Sequence, residues 1–512
     1  MKKLLSITLA ALTLTTAPLT ACSKASEGDW RAEVTSVLSQ VAASKPKVTR
    51  PLPSTDSSTT TQKPSDPSTP NTPVYTNPNA GKAHPITNAD ANKVPNVSYG
   101  NDSLLVYGNK VYYRYDATSM TAGNSKLWYC VDLSNLYSYD PQKDEYGQYT
   151  AARTMPLCMS PFCQHKEYQF NNGYVCPLYF DNHRSESARS SRPIYCIDYT
   201  ESKGTAPVFY ILAAEPEYKI VGEQVIKNTA DDYAIYRYDT AVGKREIIAE
   251  KLPTSAKSLT ICGEYIYYYS IQGLTAINKK GEQVGNSESV KYILGYENGK
   301  LYLSDVMGKV YTANKNLSNL KQVFTVDISA LTEEQIIRLI EDPNTPFGYR
   351  IVDGYLYYVN DYEKIYQSEK YEYNYVYVTS IYRVPLNDLS AEPELILDKQ
   401  CYSGKFYGVT GNKLYYIPTY NIKEEPYYQN GKALANVDLT TKEVTIMEEA
   451  AYDMPHYSAV PESSAHLTSN FLVGSCGNSL GNSSFVVIYD FETGDIMYIS
   501  KSSMFGKVPL PE

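Results

Sequence analysis

Three cysteines and a histidine fall within nineteen residues of one stretch, PLCMSPFCQHKEYQFNNGYVCPLY: Cys158, Cys163, His165 and Cys176. Three thiolates and an imidazole make a tetrahedral zinc set, so one structural zinc is one reading. The spacing C-x4-C-x-H-x10-C matches no standard finger. Thiols outside the cell tend towards disulfides, so a disulfide clip is the second reading, with Cys130 or Cys196 as an added partner. Reduced thiols without a special role are the third. A nucleophilic role would need a base and an orienting group beside one thiol. Cys163 and His165 share a strand face at that spacing, but the neighbouring cysteines make a ligand or disulfide role more natural. Cys262, Cys401 and Cys476 sit in or beside strand-like runs and read as buried thiols. His84, His183, His456 and His466 are scattered, and no Ser-His-Asp order, phosphate loop or two-His metal spacing stands out. The expectation is therefore a protein that is not an enzyme, with no certain cofactor.

The second chemical signal is aromatic. The chain holds 51 tyrosines. Tyrosine suits half-buried strand faces and also supplies amphipathic binding surface. Two insertions are Tyr-dense, 362–377 (YEKIYQSEKYEYNYVY) and 420–428. Tyr371, Tyr373, Tyr375, Tyr377, Tyr427 and Tyr428 are the candidate contacts for a protein or glycan ligand. The alternative is a long hairpin packed on itself.

The elements that must position these residues begin with an export signal. Lys2 and Lys3 precede an apolar run from Leu4 to Ala17, then Leu19-Thr20-Ala21-Cys22. This pattern reads as a secretory signal over 1–21. Its end resembles a bacterial lipobox, which implies a diacylglyceryl-modified Cys22 as the first mature residue. The expected setting is the extracytoplasmic face of a bacterial cell membrane, with lipid as the only membrane attachment. Residues 22–98 are rich in Pro, Ser, Thr and Asn and read as a disordered tether, with a short amphipathic helix over 29–43. The formal net charge is −9, and loss of Lys2 and Lys3 (two positive charges fewer) takes it to −11. No basic cluster of the kind that tracks phosphates is present, which argues against nucleic acid.

Residues 99–512 read as the folded part, with the Cys-rich insertion at 151–180. Five Gly-containing pairs each precede an apolar-Tyr run: Gly108-Asn109 before KVYY, Gly263-Glu264 before YIYY, Asn298-Gly299 before KLYL, Asp353-Gly354 before YLYY, and Gly411-Asn412 before KLYY. Such pairs are the strongest short-range hairpin signal. Third and fourth strands follow, as in Ile381–Val384 with Glu394–Leu397, or Val486–Tyr489 with Asp495–Tyr498. Four antiparallel strands repeated radially make an all-β chain, a β-propeller of about seven four-stranded blades. Thr332-Glu333-Glu334-Gln335 is a capping box opening a short helix over 332–340.

Tyr302-Leu303-Ser304-Asp305 and Tyr358-Val359-Asn360-Asp361 resemble degenerate copies of the Tyr-Trp-Thr-Asp motif. On that motif the folded part looks similar to bacterial lipoproteins with propellers of the low-density-lipoprotein-receptor-related type. The resemblance implies that Asp305 and Asp361 tie one blade to the next. It also implies that the Cys-rich run is a real structural unit. The reading of the whole chain is a membrane-anchored lipoprotein whose propeller binds a protein or glycan. The alternatives are a surface hydrolase acting on polysaccharide or peptide, or an envelope-assembly protein.

Overall fold

The computed structural model describes residues 86–114, 128–135, 154–158, 176–178, 193–214, 218–221, 224–227, 233–327, 332, 346–366, 375–418, 434–447, 463–477, 484–492 and 496–500. Within them the chain is all-β, with only two 3-10 turns besides strands. The fold is a β-propeller, and it follows from local turn chemistry. All five Gly-containing pairs are two-residue hairpin turns: the flanking partners are Tyr107 and Lys110, Cys262 and Tyr265, Glu297 and Lys300, Val352 and Tyr355, and Thr410 and Lys413. Asn298-Gly299, Asp353-Gly354 and Gly411-Asn412 have positive φ at both positions, as a type I′ turn requires.

The strands form antiparallel meanders. The first runs from Leu104–Tyr107 to Thr154–Pro156, and the second from Ile194–Lys203 to Lys244–Leu252. The third runs from Lys257–Cys262 to Gln283–Ser287, and the fourth from Tyr292–Glu297 to Lys321–Thr325. The last runs from Ser463–Leu467 to Ile496–Ser500. These five stand as separate sheets of four or five strands. Between the fourth and the last lies a 7-stranded sheet from Arg350–Val352 to Val444–Met447. It fuses two further meanders, the fifth and the sixth, because the 17-residue strand Glu394–Thr410 closes one and opens the next. The expected β-propeller is present, and only the count of about seven four-stranded blades differs slightly: five meanders stand as separate sheets, and two more share a strand. A short hairpin, Tyr218–Val221 with Gln224–Lys227, lies inside the second meander.

Each meander buries an apolar face against its neighbour. Leu105, Trp128, Tyr195 and Phe209 join the first and second, with the Trp128 and Tyr195 rings 4.4 Å apart. Val208, Tyr210, Ile261 and Tyr268 join the second and third. Cys262, Tyr267, Leu301 and Leu303 join the third and fourth. One large cluster runs from Val310 through Tyr349 and Ile381 to Leu414 across the fused sheet. Leu434, Leu472 and Val487 join it to the last meander. Leu104, Val111, Phe471 and Val486 then close the last meander on the first. This packing buries the outward faces of the first and last meanders, which an open array would leave exposed.

Tyrosine supplies most of the largest core side chains. Of the twelve largest fully buried side chains, all but Trp128, Phe209 and Phe347 are tyrosines. A buried phenol needs a partner for its hydroxyl, and several reach across to the adjacent sheet. Tyr199 donates to Val106 O at 2.7 Å, Tyr267 to Lys315 O at 2.6 Å, and Tyr349 to Gly308 O at 2.6 Å. These bonds do the joining that the resemblance assigned to aspartates. Asp305 instead accepts from Met307 N, Lys309 N and Tyr311 Oη of its own hairpin. Asp361 accepts from Tyr382 Oη on the next strand of its own sheet.

Candidate functional site

An antiparallel meander sends its first-to-second and third-to-fourth connections to one face, and the others to the opposite face. The five two-residue turns therefore share one face. The opposite face carries the long connections: 115–127, 157–193, 215–232, 326–349, 367–374, 419–433, 448–462 and 478–483. Three connections of six residues or more, 133–153, 314–320 and 386–393, belong to the turn face. Binding residues concentrate on such connections because the scaffold beneath them is rigid.

The axis between the two faces is lined by the first strand of each meander, and residues 86–101 cross it. Sequence reading placed 86–98 in the tether. The structure packs them: Ile86 N donates to Leu133 O at 3.1 Å, Asn88 N to Asn109 Oδ1 at 2.7 Å, and Ser469 N to Asp90 Oδ2 at 2.6 Å. Asn470 Nδ2 donates to Thr87 O. This segment thus bridges the first and last meanders. Ser98–Tyr99 then pairs with Ile261 and Thr260 as a fifth strand on the axis side of the third meander. Gly100 follows because no side chain fits: a Cβ there would lie 2.6 Å from Leu259 O and 2.7 Å from Ile194 Cγ2. Tyr99 keeps 46% of its surface exposed. Crowding nevertheless raises its phenol above the ordinary value, with the Arg350 charge opposing part of the rise. The group is a neutral hydrogen-bond donor at neutral pH.

Beside the axis, a charged network links the second and third meanders. Asp198 is fully buried, and its Oδ1 accepts from Thr200 N, Thr200 Oγ1 and Glu201 N at 2.9, 2.6 and 3.1 Å. Lys279 Nζ lies 2.5 Å from Asp198 Oδ2 and 3.0 Å from Glu201 Oε1. Arg237 Nε lies 2.8 Å from Glu201 Oε2. Burial alone would raise the Glu201 carboxyl, but the bonds from Arg237 and Lys279 outweigh it and hold it below its ordinary value. These two convergent carboxylates are thus held by cations.

Of the sequence-predicted cysteines, Cys158 and Cys176 come together in one buried cluster with Trp128, Tyr195 and Leu178. Cys163 and His165 lie outside the described residues. Among the described residues, no three His, Cys, Asp or Glu side chains gather closely enough to hold a metal ion. Cys130 belongs to the same cluster, whereas Cys196 does not. Strand alternation explains the difference: Tyr195 and Ile197 face the first meander, and Cys196 faces the other way, its Sγ donating to Ser98 O at 3.2 Å. Arg245 presses on the Cys-rich segment from the second meander. Its guanidinium donates to Pro177 O at 3.0 Å and lies 5.0 Å from the Tyr236 ring centroid.

Of the candidate tyrosines, Tyr377 is buried, its ring centroid 6.1 Å from that of Tyr362. It supports the hairpin rather than presenting a contact. Tyr375 opens the strand Tyr375–Pro385 and pairs with Tyr366. Tyr371, Tyr373, Tyr427 and Tyr428 lie outside the described residues, as do Cys22, the 29–43 helix and residues 333–340. Thr332 is exposed. The residues that sequence reasoning missed are Tyr99 beside the axis and the network of Asp198, Glu201, Arg237 and Lys279, which no local motif marks. A groove of about 490 Å³ also opens between the fourth and fifth meanders, lined by Phe324, Tyr358, Asn360 and Leu389.

No protein-family model matches the chain. No curated protein sequence matches it either. Solved propellers are similar to it. One is the β-propeller domain of the Trilobed protease from Pyrococcus furiosus, 12% identical, over 58% of this chain and 83% of that one, with a TM-score of 0.35. Another is a puromycin hydrolase, 8% identical, over 85% of this chain and 56% of that one, TM-score 0.37. A third is BamB from Moraxella catarrhalis, 10% identical, over 56% and 76%, TM-score 0.29. The expectation that the chain is not an enzyme is corrected by these neighbours, since a protease domain and a hydrolase stand among them. At such identities and TM-scores the likeness transfers no activity.

Proposed function

We propose that this chain is an envelope lipoprotein whose propeller takes a protein or glycan ligand on the face that carries the long connections. The observation behind this reading is the asymmetry of the connections. On one face only 133–153, 314–320 and 386–393 among the connections reach six residues, and five are two-residue Gly-containing turns, whereas on the other face eight connections reach six residues or more. The Tyr-dense segments 367–374 and 419–433 join strand ends at that second face. Tyrosine offers a rigid, amphipathic contact at low entropic cost. Cys22 would carry the lipid, and the Ser/Thr/Pro-rich segment before residue 86 would space the propeller from the membrane.

The test uses the full chain and a bacterial envelope fraction, intact, protease-treated or periodate-oxidised. Replacing 419–433 by a two-residue Asn-Gly turn removes a connection from the binding face. Lengthening the Gly411-Asn412 turn by four residues alters the opposite face. The expected result is loss of envelope binding in the first variant and retention in the second. Protease sensitivity of the fraction then identifies a protein ligand, and periodate sensitivity a glycan. Loss in the second variant with retention in the first contradicts the reading. Radiolabelled palmitate incorporation that is abolished in Cys22→Ser supports the anchor; incorporation that survives the substitution contradicts it.

A further inference from the structure

We propose that the groove between the fourth and fifth meanders binds an extended, uncharged peptide segment of a partner protein as an added strand. The groove holds about 490 Å³, within the roughly 300–1,000 Å³ range of ligand sites. One wall is continuous chain, because residues 322–327 all line it. Side chains of a strand alternate between its two faces, so consecutive residues share one groove only along the strand's edge. The strand in question, Lys321–Thr325, is the last of its sheet and pairs only with Lys309–Ala313 among the described residues. Its outer edge therefore presents a row of N–H and C=O groups outside the sheet's own pairing, a template for another extended chain. The molecule already extends one meander in this way, where Ser98–Tyr99 pairs with the first strand of the third.

The other wall belongs to the fifth meander. Phe324 of the edge strand meets Tyr358 with ring centroids 5.5 Å apart, and Tyr358 stacks on Tyr382 at 5.6 Å. Leu389 and Ala391 of the 386–393 connection add apolar surface. Asn360 also lines the groove, at a break in its strand: the pairing jumps from Asn360 to Glu363, and Asp361 between them takes a φ of +56°. A bulge of this kind re-aims side chains, and a non-glycine residue keeps such a φ only where its surroundings impose it. The Asn360 Oδ1 is enclosed and has no hydrogen-bond partner. An acceptor left in that state destabilises the folded chain until a donor reaches it. A half-turn of the amide exchanges its oxygen and nitrogen, so Asn360 can offer the groove either an acceptor or a donor.

These features select the ligand. A row of main-chain groups on one wall and a side-chain amide on the other match a polypeptide backbone, which carries one donor and one acceptor at nearly every residue. A glycan has no such regular row. Asp327 is the only charged residue among the described lining residues, so the segment that fits is neutral. Phe324, Tyr358, Leu389 and Ala391 favour apolar side chains on its inward positions. The site stands apart from the loop-bearing face, and its failure would leave the reading of that face untouched.

Panning phage-displayed random octapeptides on the full chain supplies the peptides, which are then synthesised and titrated by fluorescence polarisation. Saturable binding is expected. Ala391→Trp, which fills the groove, should weaken it about tenfold or more, and Asn360→Ala about threefold to tenfold. N-methylation of the peptide, one residue at a time, reads the geometry on the wild-type chain. An added strand should lose about tenfold or more at alternate residues and under about threefold at those between. If either variant fails to fold, the N-methyl series decides. Absence of any enriched peptide overturns the proposal. So does N-methyl sensitivity without the alternation, or binding unchanged in whichever variants fold. A concentration-dependent dimer that Ala391→Trp abolishes would assign the groove to a second copy and contradict the proposal. Displacement of the bound peptide by a polysaccharide fraction, lost on periodate oxidation and absent in Ala391→Trp, would assign it to a glycan and do the same.

Discussion

Lys279 is the perturbation whose cost the structure specifies best. It sits in the turn after Gly273–Asn278 of the third meander and reaches back to the second. Asp198 Oδ1 is satisfied by three donors, but Oδ2 has no partner in hydrogen-bond geometry and faces Lys279 Nζ at 2.5 Å. The charge of Lys279 is therefore the compensation for that buried oxygen. Breaking a buried ion pair from one side costs about 3–5 kcal/mol. The Lys279 side chain is 16% exposed, and Asp198 keeps its Oδ1 bonds, so Lys279→Met should fall near the lower end, about 2–3 kcal/mol. Adding Asp198→Asn removes the stranded charge. The double variant should recover at least about 1 kcal/mol relative to Lys279→Met alone. Urea unfolding of wild type, both single variants and the double variant, at neutral pH and equal slope, gives the cycle. A Lys279→Met cost under about 0.5 kcal/mol, or additivity within about 0.5 kcal/mol, would refute the argument that Lys279 neutralises a buried charge.

Three other outcomes follow from the same geometry. His466 Nε2 lies 3.2 Å from Leu104 O, and burial holds its imidazole below the ordinary value of 6.5. The unfolded chain therefore takes up this proton first, and stability present above about pH 6.5 is lost as pH falls, by at most about 1.4 kcal/mol per unit. In His466→Asn the difference in pH slope between 6.5 and 5 should vanish; an unchanged slope means that another group is responsible. Gly100→Ala should destabilise by about 1–3 kcal/mol through the clash with Leu259 and Ile194, and a neutral thermal shift would show that the crossing segment is not held there. Tyr349→Phe removes the bond to Gly308 O and should cost about 1–3 kcal/mol, whereas a cost near zero would mean that tyrosine hydroxyls do not join the sheets.

What was legible in the sequence is what local chemistry decides. Asn298-Gly299 and Asp353-Gly354 must turn, because positive φ is cheap there, and the alternating runs beside them must then pair. The fusion of two meanders through Glu394–Thr410 was not legible, because strand continuity depends on what packs on either side of it. The packed segment 86–98 was hidden for a related reason. It has no period of its own and gains its partners from residues 109, 133, 469 and 470. Tyr377 read as a surface residue among many tyrosines, and only the partner strand shows that Tyr362 covers it.

The most direct measurement is hydroxyl-radical footprinting of the full chain, with and without the envelope fraction that it binds. Tyrosines report strongly in such an experiment, and both faces carry them. The account predicts protection confined to connections such as 157–193, 367–374 and 419–433, with the runs beside the turns at 108–109, 298–299, 353–354 and 411–412 unchanged. Protection centred on those turns, with the long connections untouched, would contradict it.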